Sequence, residues 1–311
     1  MTKKQSFRIE QDSLGDVKVP KKALWGAQTQ RAIENFPISG IKFKFPFGRS
    51  FIKALGAIKY SAASANHDLG LMTAKKANAI KASAKMVMVG DVDDHFPLDV
   101  FQTGSGTSTN MNANEVIANL ATEKLGQGVN ANDDVNMSQS SNDTIPTAIC
   151  MSALFDMDEF LFPGLDLLIE EVEKKAKNLQ GQIKTGRTHM MDAMPLDFHQ
   201  ELMGWSAQLK SCKTSLTTAT KRMMQLPQGG TAIGTGVNSH KGFSKAFCQT
   251  MEKVSGFKVK PAPNFFQGLS SQDNSAELSS AVKNLALVLM KISNDLRLSL
   301  IHISEPTRRV R

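Results

Sequence analysis

The chain has 311 residues, 41% of them hydrophobic, which is long enough to bury a large core across two domains. Its formal net charge of +8 is spread over helical faces, and one Tyr and two Trp offer few groups for stacking on bases, so we predict no nucleic-acid partner. The sequence has no run of about 18 apolar residues, and no apolar segment follows its start, so we predict neither a membrane span nor a secretory signal.

The first half of the chain predicts a hairpin, two helices and several irregular segments. Residues 7–10 and 17–19 flank a turn, which predicts a short hairpin that ends at Pro20. The other predictions for this half are helices over the alanine-rich residues 51–67 and 74–89, a polar loop over 25–31, an irregular segment over 37–48 and a solvated acidic turn over 91–95. No second cluster of ligands has suitable spacing beside that acidic turn, so no metal site is predicted.

From residue 143 onward the pattern changes to long helices. One apolar stripe at helical spacing comprises Leu165, Leu168, Ile169, Val172, Ala176 and Leu179. A second stripe, with the alternating steps of four and three that are typical of a helix-bundle seam, comprises Leu278, Val282, Leu285, Leu289, Ile292 and Leu296. A helix over residues 273–298 would be about 40 Å long. Such a helix needs partners to bury its stripe, and other subunits are natural candidates.

The three cysteines, Cys150, Cys212 and Cys248, are odd in number and far apart. This pattern predicts free thiols rather than a disulfide framework or a zinc site. Free thiols are typical of a reducing compartment, and we therefore expect a cytoplasmic protein.

A first polar loop covers residues 103–112, which read Thr-Gly-Ser-Gly-Thr-Ser-Thr-Asn-Met-Asn. Glycines let backbone N–H groups approach a ligand, and the hydroxyls add further donors. A helix is predicted to follow over residues 112–125. The loop favours an anion cradle, with an ordinary serine-rich turn as the alternative. It is not a nucleotide P-loop, because no lysine follows the glycines.

A second polar loop covers residues 136–143, which read Asn-Met-Ser-Gln-Ser-Ser-Asn-Asp and lead directly into an apolar helix. Asn142 or Asp143 could simply cap that helix. Capping needs one residue, however, and six polar groups lie together here.

A third polar stretch covers residues 185–195. Pro195 removes a backbone donor and disfavours helix for Met194, which predicts a loop or turn. Within it, His189 is of a residue type that exchanges protons near neutral pH, and Asp192 could fix the tautomer of its ring. The alternative is a histidine without a function in an ordinary loop. A fourth, glycine-rich loop over residues 229–238 is predicted to be structural, allowing helix ends to cross closely.

The three polar loops together lack a nucleophile–base pair and lack metal ligands. They suit the binding of carboxylates while a proton moves. In a β-elimination, the carboxylate beside the departing proton gains charge in the transition state, and preorganised donors stabilise that charge. A histidine, acting directly or through water, could handle the water that leaves or enters.

Six motifs in the loops and around them, taken together, resemble class II fumarate hydratase, of the fumarase/aspartase superfamily. They are residues 25–31, 102–107, 110–112, 135–136, 138–143 and 186–189. The resemblance extends from about residue 7 to residue 298. It implies a mainly α fold, a fumarase/aspartase-like long-helix bundle with a small mixed N-terminal domain. The implied domains are an N-terminal lyase domain over residues 1–142, which carries the first two loops, and a central helical bundle over 143–298.

The resemblance also implies roles for individual residues. Substrate carboxylates would be held by Ser105, Gly106, Thr107, Ser140, Ser141, Asn142 and Thr188. His189 would act in proton transfer together with a water molecule. The implied reaction is the reversible hydration of fumarate to (S)-malate in the tricarboxylic acid cycle, without a cofactor. The implied assembly is a homotetramer in which each site is built from three subunits.

Two alternatives stand beside this interpretation. The first is an aspartase-type ammonia-lyase of the same superfamily. An aspartase has a sequence similar to Gly-Ala-Thr-Ala at the position of residues 229–232, which read Gly-Gly-Thr-Ala in this chain, and it has Gln in place of His189. Both differences favour the hydratase. The other alternative is a non-catalytic helical oligomer.

The chain departs from the family pattern at two places. The family often has a second dicarboxylate site at a turn with a histidine that this chain lacks, which puts binding by Asn130, Ala131, Asn132 and Asp133 in doubt. After residue 298 the family would continue into a loop with a catalytic serine, a Lys-x-Asn clamp and a C-terminal domain. Residues 299–311 instead resemble a sequencing artefact, so we expect a fragment that is inactive or nearly so.

Overall fold

A computed structural model describes residues 6–42 and 48–304, with side chains described up to residue 298. Most of these residues are helical, as predicted, and the strands form short two-stranded sheets. Parts of the predicted irregular segment 37–48 and of the tail 299–311, namely residues 43–47 and 305–311, lie outside the described residues, as does the start of the chain, residues 1–5. None of the described helices is both long and apolar enough to cross a bilayer.

The chain divides into two compact units. The first comprises residues 1–155 and 223–273, and the second comprises 156–222 and 274–311. The predicted boundary at residue 143 divides the chain into the domains of the family, whereas these units are defined by compactness. The predicted boundary therefore stays a prediction.

The N-terminal hairpin confirms the first predicted element. Strand β1 (Phe7–Asp12) pairs antiparallel with β2 (Gly15–Pro20), and Gly15 adopts a φ of +111° in the turn between them. On β2, Val17 and Val19 are buried together with Ala23 and Ala27. Alternate residues of β2 therefore form a small apolar core.

The predicted polar loop over residues 25–31 is wrong, because helix α1 (Ala27–Asn35) begins there. The Glu115 carboxylate accepts hydrogen bonds from the backbone N–H groups of Gly26 (2.8 Å), Gln28 (2.9 Å) and Thr29 (3.1 Å). These are the unpaired donors at the start of a helix. The group that satisfies them is distant in sequence, so no local pattern indicates this helix start.

The first unit is mainly helical. Helices α2 and α3 confirm the predictions, and α4 begins five residues before its predicted start. Besides α1, the described α-helices of this unit are α2 (Arg49–Asp68), α3 (Ala74–Val89), α4 (Thr107–Leu125), α5 (Ser141–Asp156), α8 (Phe243–Ser255) and the short α9 (Phe265–Ser270). Helix α2 packs against α3 and α8 and carries the fully buried Leu55 and Ile58. Strands β5 (Gln225–Leu226) and β6 (Lys260–Pro261) pair in parallel.

The second unit contains three long helices and a hairpin. The helices are α6 (Phe162–Asn178), α7 (Phe198–Met223) and α10 (Asp273–Ser304), and the hairpin consists of β3 (Ile183–Thr188) and β4 (Met191–Asp197). The last residue of α7 and the first residue of α10 belong to the first unit. A π-helical turn, Met157–Leu161, precedes α6.

The third polar stretch is a β-hairpin rather than a loop. Only its tip is a turn, where His189 and Met190 both have positive φ, +52° and +62°. Pro195 lies opposite Thr185. A proline is tolerated there because both strands of a two-stranded sheet are edge strands. The prediction of a loop was therefore correct for two residues and wrong for the strands beside them.

The predicted helix seam on α10 is only half covered within the protomer. Leu278, Leu285 and Ile292 are 7%, 3% and 7% exposed. The residues between them, Val282, Leu289 and Leu296, are 40%, 36% and 48% exposed. On α6, only Leu165, Ile169 and Ala176 of the predicted stripe are buried.

The three cysteines are free, as predicted, and all three are buried. Burial raises the pKa of both Cys150 and Cys248 to about 12, so these thiols stay protonated and act as small apolar groups.

Candidate active site

The first polar loop ends at the N-terminus of α4. Gly106 precedes the helix with a φ of +71°, and the hydroxyl oxygens of Ser105 and Thr107 lie 2.9 Å apart. A Cβ atom at Gly106 would come within 2.9 Å of Ile145 Cδ1, so both the backbone angle and the space require glycine. The three predicted binding residues are therefore adjacent at a helix end whose backbone dipoles favour an anion.

The second polar loop ends in a reciprocal helix cap. Ser140 Oγ accepts a hydrogen bond from the Asn142 N–H at 3.2 Å, and Asp143 Oδ1 accepts one from the Ser140 N–H at 2.9 Å. This is a variant of the capping box, in which the serine accepts from the second residue of the helix rather than from the third. The predicted caps were Asn142 or Asp143. The residue before the helix is instead Ser140, and Asp143 bonds back to it from the first turn.

Capping thus leaves the Ser141 and Asn142 side chains for other contacts. Ser141 Oγ accepts a hydrogen bond from Asn110 Nδ2 at 2.9 Å. Asn142 is exposed, and its Nδ2 donates to the carbonyl oxygen of Ala232 at 2.7 Å. The predicted second group of donors is therefore held by residues from α4 and from the fourth loop.

Asp143 connects the second loop to the fourth. Its side chain is fully buried, and Oδ2 accepts hydrogen bonds from the N–H groups of Gly229 and Thr231, both at 2.9 Å. Burial raises the pKa of Asp143 to about 6, although these hydrogen bonds and the nearby Lys59 oppose the shift. The fourth loop has a structural role, and it also reaches the candidate site.

A cavity of about 570 Å³ lies within the first unit and joins the two loops. Ser105 and Asn142 both line it. Its apolar lining comprises Ile145, Ile149, Ile233, Phe266 and Leu269, together with Pro146 and Ala232. Sequence reasoning missed these residues of α5, α9 and the fourth loop, because apolar side chains at helical spacing look like ordinary core.

Lys59 is a buried cation behind the second loop. Its side chain on α2 is fully buried, and Nζ donates to Asn136 Oδ1 at 2.9 Å and to Gln139 Oε1 at 3.0 Å. Burial lowers the pKa of Lys59 to about 7, and the nearby Asp143 carboxylate opposes the shift. The sequence gives no signal for this residue, since lysines are common on the exposed faces of helices.

Thr188 and His189 lie in the second unit, at the tip of the β3–β4 hairpin, and both are exposed. Asp192, suggested by the sequence as a partner of the imidazole, instead lies 3.9 Å from Arg187 Nε. Six of the predicted site residues thus lie at the starts of α4 and α5 in the first unit, and the other two lie at an exposed turn of the second unit.

The residues of the second predicted site bond to one another. Asn130 Oδ1 accepts hydrogen bonds from the N–H groups of Asn132 (2.8 Å) and Asp133 (3.0 Å), which caps the turn Ala131–Val135. These two donors are therefore already used. Within the described ranges, no three His, Cys, Asp or Glu side chains come together as metal ligands would.

Comparison with known proteins agrees with the fold. A family model described as a lyase matches residues 15–308. A protein of Xylella fastidiosa named class II fumarate hydratase is 50% identical over 297 residues, covering 96% of this chain and 62% of that protein. One of Pseudomonas aeruginosa with the same class name is 46% identical over 290 residues, covering 93% and 62%. The crystal structure of a class II fumarase from Schistosoma mansoni superposes with a TM-score of 0.92 at 36% identity, covering 97% of this chain and 66% of that one.

The chain therefore belongs to the lyase family, with a fold like that of class II fumarase. It spans about 62% of the length of the curated relatives named here.

Proposed function

We propose that this member of the lyase family is part of a fumarate hydratase, which hydrates fumarate reversibly to (S)-malate. The observation that carries the proposal is that Ser105 and Asn142, at the starts of α4 and α5, line one cavity. A dicarboxylate needs donors of this kind, and the relatives compared above bear that enzyme's name. Because the chain spans about 62% of their length, the activity is proposed for the whole protein.

The geometry supports a mechanism based on preorganised donors. Ser105, Gly106 and Thr107 lie at one helix N-terminus, and Ser140, Ser141 and Asn142 lie at another. Donors already oriented toward a carboxylate stabilise the extra charge that it carries in the transition state. The reaction adds one water molecule across a carbon–carbon double bond, as a proton on one carbon and a hydroxyl group on the other, with no external oxidant or reductant, so the proposal includes no cofactor.

Thr188 and His189 complete the proposed site from the exposed hairpin turn. Thr188 would contact a carboxylate, and His189 would exchange a proton with the reacting water. We propose that subunits of a homotetramer share each site. The exposed residues Val282, Leu289 and Leu296 on α10 support this assembly, since they form an apolar stripe at heptad spacing. The three buried free thiols support a cytoplasmic location.

The test measures both binding and turnover of fumarate by the purified chain. Isothermal titration with fumarate should show saturable binding. Binding should weaken about 10-fold or more in Ser105→Ala, because a hydrogen bond to a charged group is lost. Ser108→Ala, which removes a neighbouring hydroxyl on α4, is the matched control and should bind like the parent chain.

Turnover is followed by NMR with fumarate and ammonium present together. We expect (S)-malate as the product of any turnover that occurs. If the chain is inactive, as the sequence predicts, fumarate binding alone is the criterion. Formation of aspartate would favour the ammonia-lyase instead. If the chain neither binds nor converts fumarate, the proposal is wrong and the non-catalytic oligomer is favoured.

A further inference from the structure

A chain of four hydrogen-bonded side chains begins at the buried Lys59 and ends at Ser141 in the candidate site. Lys59 Nζ donates to Asn136 Oδ1 at 2.9 Å. The same oxygen accepts a hydrogen bond from Asn110 Nδ2 at 3.3 Å, and Asn110 Nδ2 also donates to Ser141 Oγ at 2.9 Å. Lys59 and Asn110 are fully buried, so the side chains cannot readily exchange these partners for bulk water.

The direction of these hydrogen bonds follows from the chemistry of lysine. A lysine ammonium has three donors and no acceptor, whereas an asparagine amide can present either its oxygen or its nitrogen. In its charged form, which predominates below its pKa of about 7, Lys59 therefore requires the oxygen of Asn136 to face it. Because the Asn136 oxygen can only accept, Asn110 must turn its Nδ2 group toward it as the donor.

The orientation of Asn110 determines what Ser141 can do. Because Asn110 Nδ2 donates to Ser141 Oγ, the Ser141 hydroxyl proton must point to another acceptor. The orientation leaves Asn110 Oδ1 buried and without a partner among the described residues, so local bonding of Asn110 does not explain it. The orientation of Asn110 is explained by the Lys59 ammonium, a group with donors only, which is linked to Asn110 through Asn136.

We propose that Lys59 is a positioning residue of the dicarboxylate site, because it fixes the direction in which the Ser141 hydroxyl donates. A carboxylate only accepts hydrogen bonds, so Ser141 binds it well only as a donor. This inference rests on the proposed function for the identity of the ligand. The hydrogen-bond chain itself can be tested without a ligand.

The main experiment is a double-mutant cycle read by titration with fumarate. Lys59→Met keeps an unbranched side chain that reaches the Cε position and removes the Nζ donors. It should weaken fumarate binding about 10-fold, and Ser141→Ala should have a similar effect. In the Ser141→Ala background, Lys59→Met should cause no further loss, because it acts through Ser141. Ser61→Ala, another buried position on α2, is the matched control and should bind fumarate normally.

Two isosteric variants test the direction of the bonds. Asn136→Asp still presents an acceptor to both Lys59 and Asn110, so fumarate affinity should change less than about threefold. Asn110→Asp presents an acceptor to Ser141, so the Ser141 hydroxyl would donate to this carboxylate instead of to the ligand. Fumarate affinity should therefore fall about as far as in Ser141→Ala. The inference is overturned if Lys59→Met leaves affinity unchanged, or lowers it equally with and without Ser141. It is also overturned if both aspartate variants behave alike.

A measurement without ligand separates this inference from the proposed function. The side-chain amide signals of Asn110 and Asn136, observed by NMR in the absence of fumarate, should shift in Lys59→Met and stay in place in Ser61→Ala. If the parent chain does not bind fumarate, the proposed function fails, while the shifts still decide whether Lys59 orients the amides. Unchanged signals in Lys59→Met would overturn the inference alone.

Discussion

At the scale of single residues, the Asp143 carboxylate connects two loops of the candidate site. One carboxylate oxygen accepts from Ser140, and the other accepts from Gly229 and Thr231. A buried carboxylate without such partners would strongly destabilise the fold. Asp143 therefore holds the second and fourth loops together, and the exposed donors beside it depend on that support.

Replacing Asp143 by Asn should lower the free energy of unfolding by about 1–3 kcal/mol, because the NH2 end of the amide would replace one acceptor oxygen and face a backbone N–H donor. Urea denaturation measures this loss. Asp133→Asn, at an exposed aspartate in the preceding turn, is the control and should change stability by less than about 0.5 kcal/mol.

The same variant predicts a change in pH dependence. Burial raises the pKa of Asp143 in the folded chain from the ordinary 3.8 to about 6, so the folded state binds more protons than the unfolded state between these values. The contribution of Asp143 to the free energy of unfolding therefore falls as the pH rises across this window. Asp143→Asn should remove that decline. Equal pH slopes in the parent and the variant would contradict the assignment.

At the scale of elements, the start of α4 determines the geometry of the first loop. The helix begins at Thr107 because Gly106 takes a left-handed conformation and Gln102 Oε1 accepts from the Thr109 N–H at 2.9 Å. These two features place the Ser105 and Thr107 hydroxyls side by side.

Gly106→Ala should lower the free energy of unfolding by about 1–3 kcal/mol, because the new Cβ meets Ile145 and the backbone angle becomes strained. Fumarate affinity should fall with it. Gly104→Ala in the same loop is the matched control, since an added Cβ meets no atom within 4 Å and the backbone angle is ordinary. Thermal unfolding of both variants tests the argument, and equal melting temperatures would contradict it.

Several elements could be predicted from local patterns, and others could not. The first hairpin and helices α2 and α3 follow from alternation, alanine content and nearby breakers. Helix α1 was missed because its cap comes from Glu115, and the β3–β4 strands were missed because polar residues and Pro195 look like a loop. The loop motifs identified Ser105 and Asn142 from the sequence. Lys59 could not be identified, since its role depends on burial that only the fold creates.

At the scale of the whole molecule, α10 is the element that most needs a partner. Within one protomer it buries Leu278, Leu285 and Ile292, while Val282 and Leu289 remain exposed at the same heptad spacing. Exposed apolar stripes of this kind indicate helix–helix association. The proposed tetramer would cover them.

The double substitution Val282→Glu with Leu289→Glu should therefore dissociate the assembly, because it buries two charges in an apolar interface. Sedimentation velocity should show a tetramer for the parent chain and smaller species for the variant. Lys283→Glu, an exposed polar position on the same helix, is the control and should leave the tetramer intact. A monomeric parent chain, or a variant that sediments like the parent, would contradict the assembly.

The central claim is that the turns before α4 and α5 bind a four-carbon dicarboxylate. A crystal structure of the chain grown with fumarate tests it most directly. Fumarate carboxylate oxygens should lie about 3 Å from the hydroxyls of Ser105 and Ser141 and near the N–H groups at both helix ends. Crystals without fumarate at these two helix starts, or with fumarate bound only elsewhere, would contradict it.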